Sequence, residues 1–260
     1  MIDIELVTRL YRKYKGDLIG VKKMQADTIK RIQNLGAVTI QDDYGGDFKL
    51  ESIGNAQLCD IEAEILYLLI REFKPETIVE ISPYCGWSTS WILHALKAND
   101  SGMLYSFDKI SESTKTVQRE LKTRWRFVQG DVKEQMEAIP KKIDFLFMDS
   151  DHSADFTKWY IKELFPLVDV MGGGLIAVHD MIRVRKVLDT KHFKDGEDNV
   201  LFDFMKANKI AYFTAALYVP SDWGPVNEEI NKLRKELGIT NIQEHNTNSM
   251  IFFKRMEELK

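Results

Sequence analysis

The sequence contains only two cysteines, Cys59 and Cys85, among its 260 residues. Two such cysteines provide neither a disulfide framework nor the spacing of a zinc site, so we expect a reduced, cytoplasmic protein. No run approaches ~18 consecutive apolar residues, and the first residues, MIDIELVTRLYRKYKGD, mix acids with bases, which predicts neither a membrane span nor a signal peptide. The net charge of −4 argues against nonspecific binding to nucleic acid or to a membrane surface.

The overall composition is typical of a soluble globular protein. Hydrophobic residues make up 44% of it and charged residues 29%, and 260 residues suffice for one large α/β domain with an added segment. We expect residues 1–55 to form an N-terminal helical extension and lid, in which 41–55 is polar, and residues 56–260 to form the main domain. The N-terminal helices offer an interface for a homo-oligomer.

After residue 75 the pattern alternates between strand and helix. Strands are predicted at 77–81, 103–107, 125–129, 143–148 and 174–178, followed by two late apolar strands at 210–219 and 249–255. Helices are predicted at 58–73, 87–98, 112–122, 132–138, 155–165 and 198–208, and over NEEINKLRKELG. This alternation predicts an α/β fold: a doubly wound, mostly parallel sheet that a late hairpin-like pair completes.

Each of the first five predicted strands ends in a polar group. The groups are Glu80, Asp108, Gly130-Asp131, Asp149-Ser150-Asp151-His152 and His179-Asp180. Because βαβ crossovers are right-handed, these strand ends should open on one edge of the sheet, where ligands of such folds bind.

The stretch TIVEISPYCGWSTSW, residues 77–91, predicts a buried strand, a turn and a helix that begins at Ser88 or Thr89. Unpaired N–H groups at such a helix start favour anions, and Glu80 is an acceptor for ribose hydroxyls or for a cationic group. Asp108 follows Gly86 at close to the ~20-residue offset of a ribose-binding acid. Asp131 either borders an adenine amino group or caps the segment that begins at Val132. The G-x-G-x-x-G dinucleotide fingerprint is absent.

A second group of residues, Asp149, Asp151, His152, His179 and Asp180, follows two consecutive strands. Carboxylates at neighbouring strand ends repel each other unless a cation or a shared proton lies between them, which predicts a divalent ion, Mg²⁺ rather than Zn²⁺. Asp151 and His152 are the candidate bases for removing a proton from a substrate hydroxyl. Alternatively, the two histidines only satisfy backbone or carboxylate partners.

With these residues in hand, residues ~58 to 255 resemble class I S-adenosylmethionine-dependent methyltransferases. The segment from Glu80 to Gly86 is similar to the first motif of that family, although Ser82 stands where glycine is most common. The resemblance implies a Rossmann-like seven-stranded sheet with an antiparallel last strand and S-adenosylmethionine (SAM) as cofactor. It implies the cofactor-binding residues Glu80, Ile81, Ser82, Gly86, Ser88, Thr89, Asp108, Gly130, Asp131 and Asp149.

The stretches IDFLFMDSDHSADF and LFPLVDVMGGGLIAVHDM are similar to the metal-dependent O-methyltransferases of the catechol and macrocin type. That resemblance implies Mg²⁺ on Asp149, His179 and Asp180, a base just after Asp149, and a small-molecule or glycan hydroxyl as acceptor. His179 stands where many of these relatives carry an oxygen ligand. Pocket walls are expected from 36–57, 181–198 and Trp223. The alternatives are a nicotinamide-dependent oxidoreductase and a non-catalytic cofactor-binding module.

Overall fold

The computed structural model describes residues 1–35, 38–41, 47–50, 58–169, 174–182, 196–217, 224–243 and 249–255. The helices in these ranges are α1 (Ile4–Lys13), α2 (Lys15–Gln33), α3 (Asp60–Phe73), α4 (Trp87–Asn99), α5 (Ser113–Thr116), α6 (Ala154–Glu163), α7 (Glu197–Ala207) and α8 (Gly224–Glu236). The strands are β1 (Val38–Gln41), β2 (Asp47–Leu50), β3 (Thr77–Ile81), β4 (Met103–Asp108), β5 (Trp125–Gln129), β6 (Phe145–Met148), β7 (Leu175–Val178), β8 (Tyr212–Thr214) and β9 (Ile251–Lys254).

Seven of these strands form one sheet in the order β5-β4-β3-β6-β7-β9-β8. The first five strands of that order are parallel, and β9 is antiparallel to both β7 and β8. The predicted seven-stranded, mostly parallel sheet with an antiparallel last strand is therefore confirmed. The chain order reverses between β3 and β6, and this switch point is where doubly wound folds bind ligands.

Successive residues of the central strands face opposite layers of the molecule, as the two-residue period of a strand requires. In β3, Ile78 belongs to the apolar layer with α3 and α4, whereas Val79 and Ile81 belong to the layer with α6 and α7. Phe147 and Met148 divide in the same way in β6. By this alternation Glu80 shares the face of Ile78 and lies beneath α4.

The N-terminal helices share a hydrophobic core with the sheet. Leu10 and Tyr11 of α1 and Leu18 of α2 are fully buried in the same apolar layer as Ile65 of α3. Asp3 begins α1 as its N-cap, because its side chain accepts a hydrogen bond of 2.8 Å from the backbone N–H of Leu6.

A buried ion network joins these helices to α3 and α8. Lys22 forms ion pairs with Asp60, at 2.9 Å, and with Glu64. Arg234 contacts the same two carboxylates, Glu64 at 2.8 Å and Asp60 at 3.5 Å. The phenol of Tyr11 donates to Glu64 at 2.8 Å. Because two cations face two anions, the charges balance where water cannot reach them.

The structure differs from the sequence-based expectation at two of the predicted helices. The helix predicted at 112–122 is split, since Val117 adopts an extended conformation between α5 and a 3₁₀ turn at Arg119–Arg124. The helix predicted at 132–138 is wrong: the chain makes successive turns and a 3₁₀ turn at Met136–Ala138, and Pro140 follows.

The expected linker or lid contains the antiparallel pair of β1 and β2. The rest of 36–57 lies outside the described residues. None of the helices in the described part of the chain combines the length and apolar character needed to span a bilayer.

Candidate active site

The polar strand ends meet at one edge of the sheet. In the parallel register, Ile81 pairs with Phe107 on one side and with Met148 on the other, and Met148 pairs with Val178. The next residues along the chain, which are Ser82, Asp108, Asp149 and His179, therefore lie side by side. Asp108 and Asp149 therefore converge on a common rim, as expected.

The turn after β3 is held in an unusual backbone conformation. Ser82 and Tyr84 have φ of 63° and 49°, and Gly86 at the start of α4 has φ of 83°. Such angles are rare for residues with a side chain and mark a turn that its surroundings hold in place. A Cβ atom on Gly86 would lie 2.7 Å from Oγ1 of Thr116, so glycine also lets the segment at α5 pack against the turn.

Glu80 is completely buried beneath this turn and does not reach the rim. Its carboxylate accepts hydrogen bonds from Ser88 at 2.6 Å, Thr89 at 2.9 Å and Ser106 at 2.6 Å. Burial raises the pKa of Glu80 to about 7, although the three hydroxyl donors act in the opposite direction. As arranged, this carboxyl ties β3 and β4 to the start of α4, and the hydroxyls of Ser88 and Thr89 are directed at it.

Asp108 lies partly exposed at the end of β4 and contacts the same turn. Its Oδ2 accepts from the backbone N–H of Tyr84 at 2.7 Å, and its Oδ1 accepts from that of Ile110 at 3.1 Å. Burial raises the pKa of Asp108 to about 6 despite these donors. Each carboxylate oxygen keeps acceptor capacity beyond one hydrogen bond, which suits a ligand with two adjacent hydroxyls.

Gly130 and Asp131 follow β5 on the far side of Asp108. Gly130 has φ of 137°, and its N–H donates to the carbonyl of Asp108 at 2.8 Å. Asp131 accepts from the backbone N–H of Lys133 at 2.9 Å and lies 3.5 Å from Nζ of Lys109. Asp131 therefore organises a tight turn. The structure places no helix at Val132 for it to cap.

A narrow crevice lies at the switch point between β3 and β6. Backbone and side chains of Ser82, Pro83, Tyr84 and Cys85 form one wall, and Asp149 lies opposite. The apolar remainder comes from Leu58 and Trp87, which are joined by a 3.2 Å hydrogen bond from the indole N–H to the carbonyl of Leu58. Ser88 completes the lining, so six residues of the β3–α4 junction surround the space.

His179 lies buried among carboxylates at the end of β7. Its Nδ1 is 3.1 Å from Oδ1 of Asp149 and 3.6 Å from Oδ1 of Asp180, and its Nε2 is 3.5 Å from Oε2 of Glu62. Burial by itself would lower the pKa of His179, but the charges of Asp149 and Glu62 outweigh it and hold the pKa well above the ordinary value. The carboxylates around the ring therefore favour its protonated form.

This arrangement does not fit the predicted Mg²⁺ ligands. Both ring nitrogens of His179 already face carboxylates, Nδ1 toward Asp149 and Nε2 toward Glu62, which leaves only Asp149 and Asp180 of the three expected donors. Within the described ranges, no three His, Cys, Asp or Glu side chains are grouped so that they could hold a metal ion. The positive charge that the acids require is supplied by His179.

The two candidate bases are held differently. Asp151 is exposed, and its oxygens accept from the backbone N–H and the hydroxyl of Ser153 at 2.9 and 3.1 Å, in a turn that begins α6. His152 is half-buried, with Nδ1 2.6 Å from Oε2 of Glu197 and Nε2 3.8 Å from Oδ2 of Asp180. Of the two side chains, His152 is the one whose unbonded ring atom faces the rim.

Sequence reasoning missed three residues that shape this site: Glu62, Glu197 and Ser249. Glu62 belongs to the first turn of α3, and its Oε1 also accepts from the backbone N–H of Met250 at 2.8 Å. Ser249 donates to Oδ1 of Asp180 at 2.9 Å. None follows a parallel strand, so the search of strand ends could not find them. Trp223 and most of the 181–198 segment, named as pocket walls, lie outside the described residues.

Comparison with known families agrees with this geometry. Residues 79–181 match the model of a family described as a methyltransferase domain. Residues 79–181 carry a methyltransferase domain. The matched segment runs from β3 to just beyond β7, so the methyltransferase domain includes both the turn after β3 and the acids after β6.

Solved structures share the fold of the methyltransferase domain. An O-methyltransferase from Bacillus cereus in complex with S-adenosylhomocysteine (SAH) aligns with a TM-score of 0.51 at 14% identity, over 97% of this chain and 100% of that one. A candidate O-methyltransferase from Klebsiella pneumoniae aligns with a TM-score of 0.51 at 17% identity, over 75% of this chain and 83% of that one. A candidate caffeoyl-CoA O-methyltransferase from Staphylococcus aureus aligns with a TM-score of 0.50 at 15% identity, over 76% of this chain and 85% of that one. No curated protein sequence matches the chain.

Proposed function

We propose that this protein is a SAM-dependent O-methyltransferase that acts on a hydroxyl group of a small molecule or sugar. The observation that carries the proposal is that two groups of residues, one suited to a cofactor and one suited to an acceptor, meet at the switch point between β3 and β6. The turn after β3, with Asp108 beside it, forms one half, and Asp149 with His152 forms the other. A methyl donor and an acceptor need such a pair of facing sites.

The cofactor half suits a nucleoside. Asp108 can accept from both hydroxyls of a ribose, and its negative charge disfavours a 2′-phosphate. The strained turn from Ser82 to Gly86 brings backbone close to the crevice and carries too little glycine for a pyrophosphate, which argues against a nicotinamide dinucleotide. Glu80 contributes indirectly, by fixing the turn through Ser88 and Thr89.

The acceptor half of the site supplies a base, His152, close to His179 and its acidic neighbours. SAM, when bound, provides an electrophilic methyl group on a sulfonium. His152 is the group we propose to remove the acceptor's proton, because Nε2 faces the rim and Nδ1 is already engaged. Asp149, held by His179 at 3.1 Å, remains at the crevice to contact the acceptor. A metal requirement stays a prediction that these donors do not support.

The domain boundary near residue 55, a cytoplasmic location and a homo-oligomeric state also stay predictions. The nature of the acceptor depends on residues 36–57, 181–198 and Trp223, which were expected to wall the pocket.

Binding of the cofactor tests the proposal first. We expect saturable binding of SAM by isothermal titration calorimetry, with competition by SAH but not by NAD. Asp108→Ala should abolish it, because the ribose loses its acceptor. Asp100→Ala is the control and should bind within about threefold of the wild type, since Asp100 lies exposed at the far end of α4 from the turn. A wild-type protein that binds neither SAM nor SAH would remove the proposal.

Methyl transfer tests the second half. SAH formation is measured with catechol, simple phenols and free sugars as acceptors, in the presence of either EDTA or Mg²⁺. We expect turnover that His152→Ala lowers by about 10²-fold, as the loss of a general base does, with SAM affinity unchanged. Activity that persists in His152→Ala would overturn the role of His152.

A further inference from the structure

Glu197 contacts His152 through both backbone and side chain. The backbone N–H of Glu197 donates to the carbonyl of His152 at 3.0 Å, and the neighbouring residues Ser153 and Gly196 form an isolated β-bridge. The carboxylate oxygen Oε2 lies 2.6 Å from Nδ1 of His152. The start of α7 is therefore attached to the loop that follows β6.

The carboxylate of Glu197 is buried and fully engaged. Its exposed fraction is 6%, and its second oxygen, Oε1, accepts from the phenol of Tyr160 at 2.8 Å. Tyr160 is itself completely buried in α6. The phenol therefore fixes one oxygen of the carboxylate, and the other oxygen contacts the imidazole.

We propose that Glu197 is a positioning residue that holds His152 as the Nδ1–H tautomer, so that Nε2 presents its lone pair to the acceptor hydroxyl. A carboxylate can only accept, so the proton of the Nδ1–Glu197 hydrogen bond belongs to the ring. Nε2 lies 3.8 Å from Asp180, which is beyond hydrogen-bond distance. Tyr160 thus fixes the carboxylate of Glu197, and Glu197 in turn fixes the ring of His152.

This inference rests on the proposed function but adds a residue to it. Glu197 lies outside the matched segment 79–181 and belongs to α7, whereas His152 lies within that segment. A carboxylate that orients a histidine also stabilises the imidazolium that forms when the histidine takes a proton. Glu197 would contribute both effects without touching either substrate.

The tautomer of His152 is measured by long-range ¹H–¹⁵N correlation on the full chain labelled with [¹⁵N]histidine. The chain has five histidines, and His152→Gln identifies the signal. We expect the Nδ1–H form in the wild type at a pH where the ring is neutral. In Glu197→Ala, which leaves the Nδ1–H group without its acceptor, the signal should shift toward the Nε2–H form or a mixture. Asp198→Asn, one residue further in the same helix, is the matched control and should leave the signal unchanged.

Kinetics supply the second readout. On an acceptor that is methylated in the screen above, Glu197→Gln should lower kcat by about 10²-fold and leave KM for SAM within about threefold. Tyr160→Phe keeps the carboxylate, so its kcat should fall by about tenfold or less. A loss of SAM affinity equal to the loss of kcat would indicate a merely structural role and overturn the inference.

The two measurements separate the inference from the function on which it rests. The tautomer experiment needs no methyl acceptor. Absence of methyl transfer would therefore remove the proposed function, while the NMR result would still test whether Glu197 sets the tautomer of His152. A wild-type His152 in the Nε2–H form, or a tautomer that Glu197→Ala does not alter, would overturn the inference. The wild-type spectrum decides this even if Glu197→Ala does not fold.

Discussion

Glu80 should make the stability of this protein depend on pH in a way that one substitution removes. Its carboxyl is fully buried, and its pKa is raised from 4.5 to about 7. A group with a raised pKa in the folded state contributes stability that is present below the unfolded pKa and is lost as the pH rises through the folded value. Between pH 5 and pH 8 this loss amounts to about 2.5 kcal/mol of unfolding free energy.

Glu80→Gln replaces the ionisable group with a neutral amide of the same length. The variant still offers one oxygen to the hydroxyls of Ser88, Thr89 and Ser106, so we expect it to fold, with a lower stability than the wild type at pH 5. The gap should then narrow or reverse by about 2.5 kcal/mol at pH 8, since only the wild type must ionise a buried carboxyl.

Urea unfolding of both proteins at pH 5, 6, 7 and 8 measures this change. Glu76→Gln is the matched control, because it removes an exposed glutamate one residue before the same strand. A difference between wild type and Glu80→Gln that stays constant over this pH range would refute the reasoning. It would mean that the hydroxyl donors fully offset the cost of burying the charge.

Three further predictions follow from other parts of the fold. SAM affinity should fall by about tenfold between pH 7 and pH 5, because the raised pKa of Asp108, about 6, leaves a protonated and weaker acceptor below it; calorimetry on Asp108→Asn should show no such slope. Glu64→Gln should cost about 3 kcal/mol in urea unfolding, because it leaves the cations of the buried ion network unbalanced, and a cost below about 1 kcal/mol would contradict this. Gly86→Ala should lower the melting temperature more than Gly238→Ala: both have positive φ, but only at Gly86 does the new Cβ meet other atoms, and equal shifts would rule out the steric argument.

Much of the sheet could be predicted from the sequence because its strands carry their own signal. β3 and β5 have the predicted bounds, and α4 and α7 agree to within a residue. The short helices were less predictable: Val117 and the segment after Asp131 depend on tertiary contacts and on chain direction rather than on local propensity.

The site could be predicted as a place more readily than as a set of contacts. Parallel strands bring Asp108 and Asp149 to one edge wherever their helices lie, so their convergence follows from topology alone. Glu80 was expected to accept from ribose hydroxyls or to face a cationic group because it ends a strand, yet the two-residue period puts it on the face of Ile78, beneath α4. His179 was expected to bind a metal, but its state depends on Glu62, which no spacing relates to it.

The residues that hold the proposed acceptor half of the site come from outside the segment that identifies the domain. Glu62 of α3 faces His179, Glu197 of α7 contacts His152, and Ser249 donates to Asp180, whereas the match ends at residue 181. The cofactor half, by contrast, lies within that segment apart from Leu58. Because the groups that set charge and direction at the reacting hydroxyl come from elements that relatives need not share, a relative's acceptor is a poor guide to this protein's acceptor. Substitutions at Glu62 and Glu197 should therefore alter acceptor turnover while SAM binding persists.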